Sequence, residues 1–304
     1  MSVIAIDVGG TGIKSALVDG TGTIVHAERH PTGAERGPDA VVQTILAIGA
    51  GLASTAAAGG EPATAAGIVV PGVVDEDAGI ARWSANVGFR EVPLRDLLGG
   101  HLGLPAVLGH DVRAGGLAEA RLGAGRGYRH VLFIGIGTGI AGAHVVDGVA
   151  FAGAHGAAGE IGHIVVRPGG PKCGCGVQGC LESVASAAAI GRTYAERTGI
   201  AATAAQVAGR AAADEPAAVG VWAEAVDALA DGLHTAVTLY DPEVVVVGGG
   251  LAEAGDTLLV PLAAALTGKL TFQAEPAMVR AALGDEAGCL GAGLLALSLV
   301  DGAG

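Results

Sequence analysis

Between Gly159 and Glu182 the chain reads GEIGHIVVRPGGPKCGCGVQGCLE, and three of the protein's four cysteines lie in this stretch. Zinc takes four nitrogen or sulfur ligands in a tetrahedron, and His163 with Cys173, Cys175 and Cys180 supplies that number. With all four positions filled by protein, no place is left for water, so the expected role of the metal is structural. Two carboxylates, Glu160 and Glu182, bracket the loop. A structural metal loop does not need them, and their placement points to polar side chains held towards a ligand by a scaffold that the metal folds.

A second chemistry is written in glycine. Asp7 ends a short apolar run and is followed by Gly9-Gly10-Thr11-Gly12, after which an apolar run resumes with Lys14 in it. A strand, glycine turn and strand of this kind exposes backbone N–H groups that a phosphate can approach closely. Thr11 adds a hydroxyl donor, and Asp7 can hold a magnesium ion or its water. A hairpin with glycine at its turn positions accounts for the same residues. Gly137-Thr138-Gly139, between apolar runs at 131–136 and 140–146, repeats the unit, and the recurrence suggests an internal duplication with both turns offered to one anion. Gly248-Gly249-Gly250 follows the buried run EVVVV and precedes a helical stretch, which gives a third candidate anion site at a helix N-terminus. Asp111 follows a strand expected over 105–109 and opens a helix expected over 112–122. It reads either as a helix cap or as a carboxylate at a strand end, positioned to take a proton.

These groups need a scaffold. Apolar residues make up 51% of the 304-residue chain but aromatics only 3%, so the core must be built from Ala, Val, Leu and Ile. The length favours two domains. Residues 40–60 carry no charge, but Val41, Ile45, Ile48 and Leu52 recur at helical spacing among polar residues, the pattern of a buried amphipathic helix. Alanine-rich helices are expected over 183–199, 203–213 and 215–239, and the polar loop at 83–88 carries Trp83 and Asn86. A net charge of −13 offers no footprint for nucleic acid or an anionic membrane. Clustered thiols and the absence of a leader-like segment before Val3 give the expectation of a cytoplasmic protein.

Taken together, DVGGT at 7–11, GHD at 109–111, GTG at 137–139, GEIGH at 159–163, CGCGVQGCLE at 173–182 and VVVGGG at 245–250 resemble the ROK family of sugar kinases and repressors, in the family's order over nearly the whole chain. The resemblance implies an α/β protein of the actin-like ATPase (ribonuclease H-like) fold, two α/β domains with a cleft between them. The expected division is a smaller domain over 1–115, a larger one over 116–288 carrying the zinc loop, and a last helix, about 289–304, packing back on the first.

It further implies an ATP-dependent kinase acting on glucose or a related hexose at the 6-hydroxyl, with Mg2+ and structural Zn2+. Asp111 would be the general base. Asn86, Glu160, His163 and Glu182, with His110 beside the base, would meet the sugar. Asp7, Gly9, Gly10, Thr11, Lys14, Thr138 and Gly139 would meet the phosphates and magnesium, and Gly249 and Gly250 the adenosine. His163, Cys173, Cys175 and Cys180 match the family's zinc ligands. His110 and Arg113 stand where the kinases usually carry Asn, a change that bears on which sugar hydroxyl is satisfied. Gly12 replaces the usual Lys, leaving Lys14 two residues on, a spacing that also resembles polyphosphate-using glucokinases. A sugar-binding or regulatory ROK protein without kinase activity is the alternative. The regulators carry a helix-turn-helix ahead of the first strand, which here begins at Val3. A homo-oligomer, dimer or dimer of dimers, is expected from the family.

Overall fold

A computed structural model describes residues 1–301; the final positions of the expected C-terminal helix, 302–304, lie outside the described residues. The chain divides into two compact units. The first takes Met1–Ala118, Ala150–Ala158 and the chain from Asp285 onward, and the second takes Glu119–Val149 and Gly159–Gly284.

In the first unit, β1 (Ser2–Val8), β2 (Gly12–Asp19) and β3 (Ile24–Pro31) form an antiparallel meander. The helix α1 (Pro38–Ala58) then carries the chain to β4 (Ala63–Val70), which pairs parallel with β1. A small antiparallel sheet follows, made of β5 (Val73–Asp75), β6 (Ile80–Ser84) and β7 (Phe89–Val92). After α2 (Leu94–Leu102), β8 (Ala106–His110) joins β4 in parallel, and α3 (Asp111–Leu122) begins at once. The main sheet has the order β3-β2-β1-β4-β8. By length and composition α1 suffices to cross a membrane, yet Val41, Ile45, Ile48 and Leu52 are buried in the core with Ile4, Ile6 and Ile68. Each such side chain contributes about 1.5–3 kcal/mol over an exposed position, which accounts for the helix without any bilayer.

The second unit repeats the plan. β9 (His130–Ile136), β10 (Ile140–Val146) and β11 (Val149–Ala150) open it, and β12 (Val244–Gly248) and β13 (Ala277–Arg280) extend the sheet in parallel, in the order β11-β10-β9-β12-β13. Between β11 and β12 lie the cysteine loop and four helices, α4 (Leu181–Ala185), α5 (Ala187–Thr198), α6 (Ala204–Ala212) and α7 (Pro216–Tyr240); α8 (Asp256–Thr267) follows β12. The core of this unit is mainly aliphatic, with Ile134, Val245, Val247, Leu229, Leu233 and Leu262 buried beside the aromatics Tyr194 and Trp222.

The last helix, α9 (Ala287–Asp301), returns to the first unit and packs on β1 and β4. Gly67 makes this close approach possible, because a Cβ there would stand 2.0 Å from the Ala292 carbonyl oxygen.

Candidate functional site

In the first unit the parallel strands β1, β4 and β8 end at one edge of the sheet, with Asp7 beside Val69 and Val70 beside His110. That edge collects Asp7, the turn at Pro71-Gly72 and the pair His110-Asp111, the carboxyl ends of strands where open α/β sheets hold ligands. The Gly9–Gly12 turn is closed by Gly9 N–H donating to the Gly12 carbonyl at 2.9 Å, and the Thr32 hydroxyl donates to the Gly9 carbonyl at 2.6 Å. Asn86 leans on this turn, so that a Cβ on Gly10 would lie 3.1 Å from the Asn86 Cβ. Thr11 is exposed at the tip.

Asp7 is largely buried, and burial raises its carboxyl from 3.8 to about 6; Lys14 opposes the shift, and the charges of Asp111, Asp285 and Glu286 add to it. Gly288 of α9 crowds the same carboxylate, for a Cβ there would stand 2.5 Å from Asp7 Oδ2. Magnesium is bound through one or two carboxylates with phosphate and water completing its shell, so a single buried carboxylate beside a glycine turn is a donor set that suits it. Lys14 is differently employed. Its Nζ donates to the Asp285 carbonyl at 2.7 Å, pairs with the Asp285 carboxylate and stays 3.8 Å from Asp7.

Asp111 is the first residue of α3, and its carboxylate, 27% exposed, accepts the adjacent Val112 N–H at 2.7 Å and lies 3.4 Å from His110 Nδ1. A capping side chain reaches two or three residues on. Here that place goes to His110, whose Nδ1 faces the Arg113 N–H at 3.4 Å. The Arg113 N–H thus faces His110, and the Asp111 carboxylate is partly open to solvent.

In the second unit the ligand atoms of His163, Cys173, Cys175 and Cys180 all lie within 4.8 Å of one another. Short backbone ladders, Val165 with Cys180 and Lys172 with Gln178, fold the loop back on itself. Around a zinc ion with Zn–S of about 2.3 Å and Zn–N of about 2.0–2.1 Å, two sulfurs stand about 3.8 Å apart and a sulfur and a nitrogen about 3.6 Å. The Cys175 and Cys180 sulfurs are 3.7 Å apart, and the Cys173 sulfur is 3.6 Å from His163 Nδ1. The four side chains fit the metal. Burial, reinforced by the neighbouring sulfurs, pushes the Cys180 thiol up to about 12, and burial also raises Cys173. Thiols packed this way become thiolates when a cation is among them. With Nδ1 turned to the sulfurs, His163 presents Nε2 to Glu160 at 3.8 Å. A ligand histidine oriented through its other nitrogen is the usual partner of a carboxylate.

Glu182, the second residue of α4, lies two residues after Cys180 and reaches the Gly137–Gly139 turn of this unit. Its Oε2 accepts the Ile140 N–H at 3.0 Å, and its Oε1 is 3.9 Å from the Cys173 sulfur. The Gly137–Gly139 turn is closed by Gly137 N–H donating to the Gly139 carbonyl at 2.9 Å, and Thr138 is exposed at its tip. Gly249 meets the end of β9: its φ is +78° and a Cβ would stand 2.5 Å from the Ile136 carbonyl oxygen. The segment after it departs from the sequence expectation, because Gly250–Ala254 is a short 3-10 helix and α8 starts only at Asp256. A five-residue turn lacks the stacked peptide dipoles of an α-helix, so the glycine run offers backbone shape without a helix N-terminus.

Three polar groups escaped the sequence. Glu76, in the acidic run VDED, is joined to Arg113 across 37 positions. Glu119, fully buried, accepts the backbone N–H groups of Ala124, Ala282 and Leu283. Arg167, inside the cysteine loop, pairs with Asp227 and Asp231 of α7, and Lys269 joins both carboxylates at 2.8 Å. Only the VDED run carries a local hint; the others are lone charges in unremarkable contexts.

The profile of the ROK family matches residues 3–298. The chain belongs to the ROK family. A glucokinase from Thermotoga maritima is 34% identical over 313 residues, covering 96% of this chain and 96% of that protein. An N-acetylmannosamine kinase from Citrobacter koseri is 33% identical over 304 residues, covering 97% and 99% of the two chains. The crystal structure of a ROK family glucokinase from Streptomyces griseus in complex with glucose and AMPPNP superposes with a TM-score of 0.82 at 32% identity, covering 98% of this chain and all of that one. The mixed α/β architecture with its repeated sheet is accordingly the actin-like ATPase fold of the ROK kinases.

Proposed function

We propose that this chain, a sugar kinase of the ROK family, transfers the γ-phosphoryl group of ATP to the 6-hydroxyl of a hexose, glucose or a near relative, with Asp111 as general base. The observation that carries the reading is the partly open Asp111 carboxylate on the same strand-end edge as Asp7 and the Gly9–Gly12 turn. Phosphoryl transfer needs in-line positioning and neutralised charge more than covalent chemistry, and one base near a phosphate cradle suffices. Gly9, Gly10, Thr11, Thr138 and Gly139 take the phosphates in this reading, with Gly249 and Gly250 towards the adenosine. Asp7 holds magnesium, which screens charge on the transferring group when bound. Lys14 reaches phosphate only by leaving Asp285.

Asn86, His110, Glu160, His163 and Glu182 are assigned to the sugar, because carboxylates and amides pair well with hydroxyls. Zinc is held by His163, Cys173, Cys175 and Cys180 and keeps His163 turned towards Glu160. Cytoplasmic residence and a homodimer accompany the assignment. The relatives act by name on glucose and on N-acetylmannosamine, so both belong in the substrate panel. A coupled ADP-release assay over hexoses and amino sugars, with ATP or polyphosphate as donor, tests the reading. Sugar-stimulated ADP release that Asp111→Asn abolishes is the expected result; sugars that bind without any turnover would establish a binding protein instead.

A further inference from the structure

We propose that Arg113, acting through Glu76, is the positioning residue that holds Asp111 in place at the end of β8; the inference rests on the reading of Asp111 as the base. Arg113 is 3% exposed, and its guanidinium spans two segments. Nε and Nη2 donate to Glu76 Oε1 at 3.1 and 2.9 Å, and Nη1 donates to the Gly156 carbonyl at 2.8 Å. The same Glu76 oxygen accepts the His110 backbone N–H at 3.1 Å. Asp111 therefore sits between two residues tied to one carboxylate, His110 through its backbone and Arg113 through its side chain. The ring is completed on the inside by His110 Nδ1, 3.4 Å from the Arg113 N–H and 3.4 Å from Asp111 Oδ1. Gly156 is itself fixed, since it has φ +71° and a Cβ there would stand 2.2 Å from the Val74 carbonyl oxygen of β5. One guanidinium thus joins the turn after β5, the end of β8, the start of α3 and the 150–158 segment.

A fork of five donors in one plane can serve Glu76 and Gly156 together, whereas a lysine ammonium is a single point charge without that geometry. Its use here is positional, because a base displaced by about 1 Å costs on the order of 100-fold in rate. A cavity of about 350 Å3 lined by Val74–Asp77, Arg82 and Ala152–Gly156 lies against Glu76, so a change of that side chain is made where water already reaches.

The test is steady-state kinetics of full-length Arg113→Met, Arg113→Lys, Glu76→Gln and the double variant Glu76→Gln/Arg113→Met, with Asp111→Asn as reference. Arg113→Met and Glu76→Gln are expected to lower kcat about 10–100-fold with sugar and ATP KM values within threefold of wild type, and Arg113→Lys to recover only part of the loss. The double variant should fall no further in kcat than Arg113→Met alone, because both side chains act through one contact. A contact that served stability alone would lower Tm and leave kcat where it is. Should Arg113→Met fail to fold by melting, Glu76→Gln decides. Folded variants with kcat within twofold of wild type, beside an inactive Asp111→Asn, overturn the inference and leave the base assignment standing. A wild-type protein with no sugar-dependent ADP release refutes the base assignment and this proposal with it.

Discussion

Replacing Asp7 by asparagine is expected to make the protein more stable and less active at once. The carboxyl is raised from 3.8 to about 6 by burial, with Asp111, Asp285 and Glu286 adding to the effect against Lys14. A raised acid is favoured in its neutral form, so the folded state binds more protons than the unfolded chain between pH 3.8 and about 6. Below that window both states are protonated and the group costs nothing. Above it both are ionised, and a difference of about two in pKa corresponds to ~3 kcal/mol against folding. Asparagine removes the charge but stays buried and loses its attraction to Lys14, so the expected gain is roughly 1–3 kcal/mol above pH 6, a few degrees in Tm for a chain of this size. Melts of both proteins from pH 5 to pH 8 should show a gap that opens as pH rises and then levels off. Mg·ATP should raise the Tm of wild type more than that of the variant, because the cation compensates a carboxylate the variant lacks. A variant less stable than wild type at pH 8, or a gap indifferent to pH, would refute the reasoning.

Asp111→Asn should lower kcat by about 10²–10⁴-fold, the usual contribution of a general base, with sugar affinity by calorimetry little changed; an activity loss below tenfold removes Asp111 from the role. Elemental analysis is expected to find about one zinc per chain, absent in Cys180→Ser. Thiol titration after chelation should release Cys173, Cys175 and Cys180 while Cys289, buried on α9 against β1, stays unreactive until denaturation; equal reactivity with and without chelator would contradict the site. Gly249→Ala forces a positive φ on a residue with a Cβ 2.5 Å from the Ile136 carbonyl, and a loss of roughly 2–4 kcal/mol in denaturant unfolding is expected.

What the residues disclosed in advance follows from how local their physics is. The runs IAIDV, GIVV, VLFIGI and EVVVV became β1, β4, β9 and β12 because buried parallel strands are continuous apolar stretches bounded by glycine. The metal ligands were legible because chemistry ties Cys173, Cys175 and Cys180 to one short loop. The three-stranded sheet β5-β6-β7 was not: VVD, IARWS and FREV are short, mixed and half exposed, and Trp83 lies in a strand where a loop was expected. The 3-10 turn at Gly250 was missed because a five-residue stretch such as GLAEA reads alike for either helix type. Glu76 with Arg113, and Glu119 with the amides of Ala282 and Leu283, were invisible for a different reason. A pairing over 37 or 163 positions is set by topology and leaves no periodic trace in the sequence.

The return of α9 to β1 and β4 has a consequence for how the chain is made. The second unit is complete when Gly284 has been synthesised, although the first unit began 283 residues earlier. Until the closing helix leaves the ribosome, the N-terminal sheet keeps the surface around Gly67 uncovered and cannot finish its core. Domains generally fold in order of synthesis, N-terminal first, and this chain must reverse that order. A polypeptide stopped at Gly284 is therefore expected to contain one folded half and one sticky half, and to aggregate or engage chaperones where the full-length chain does not.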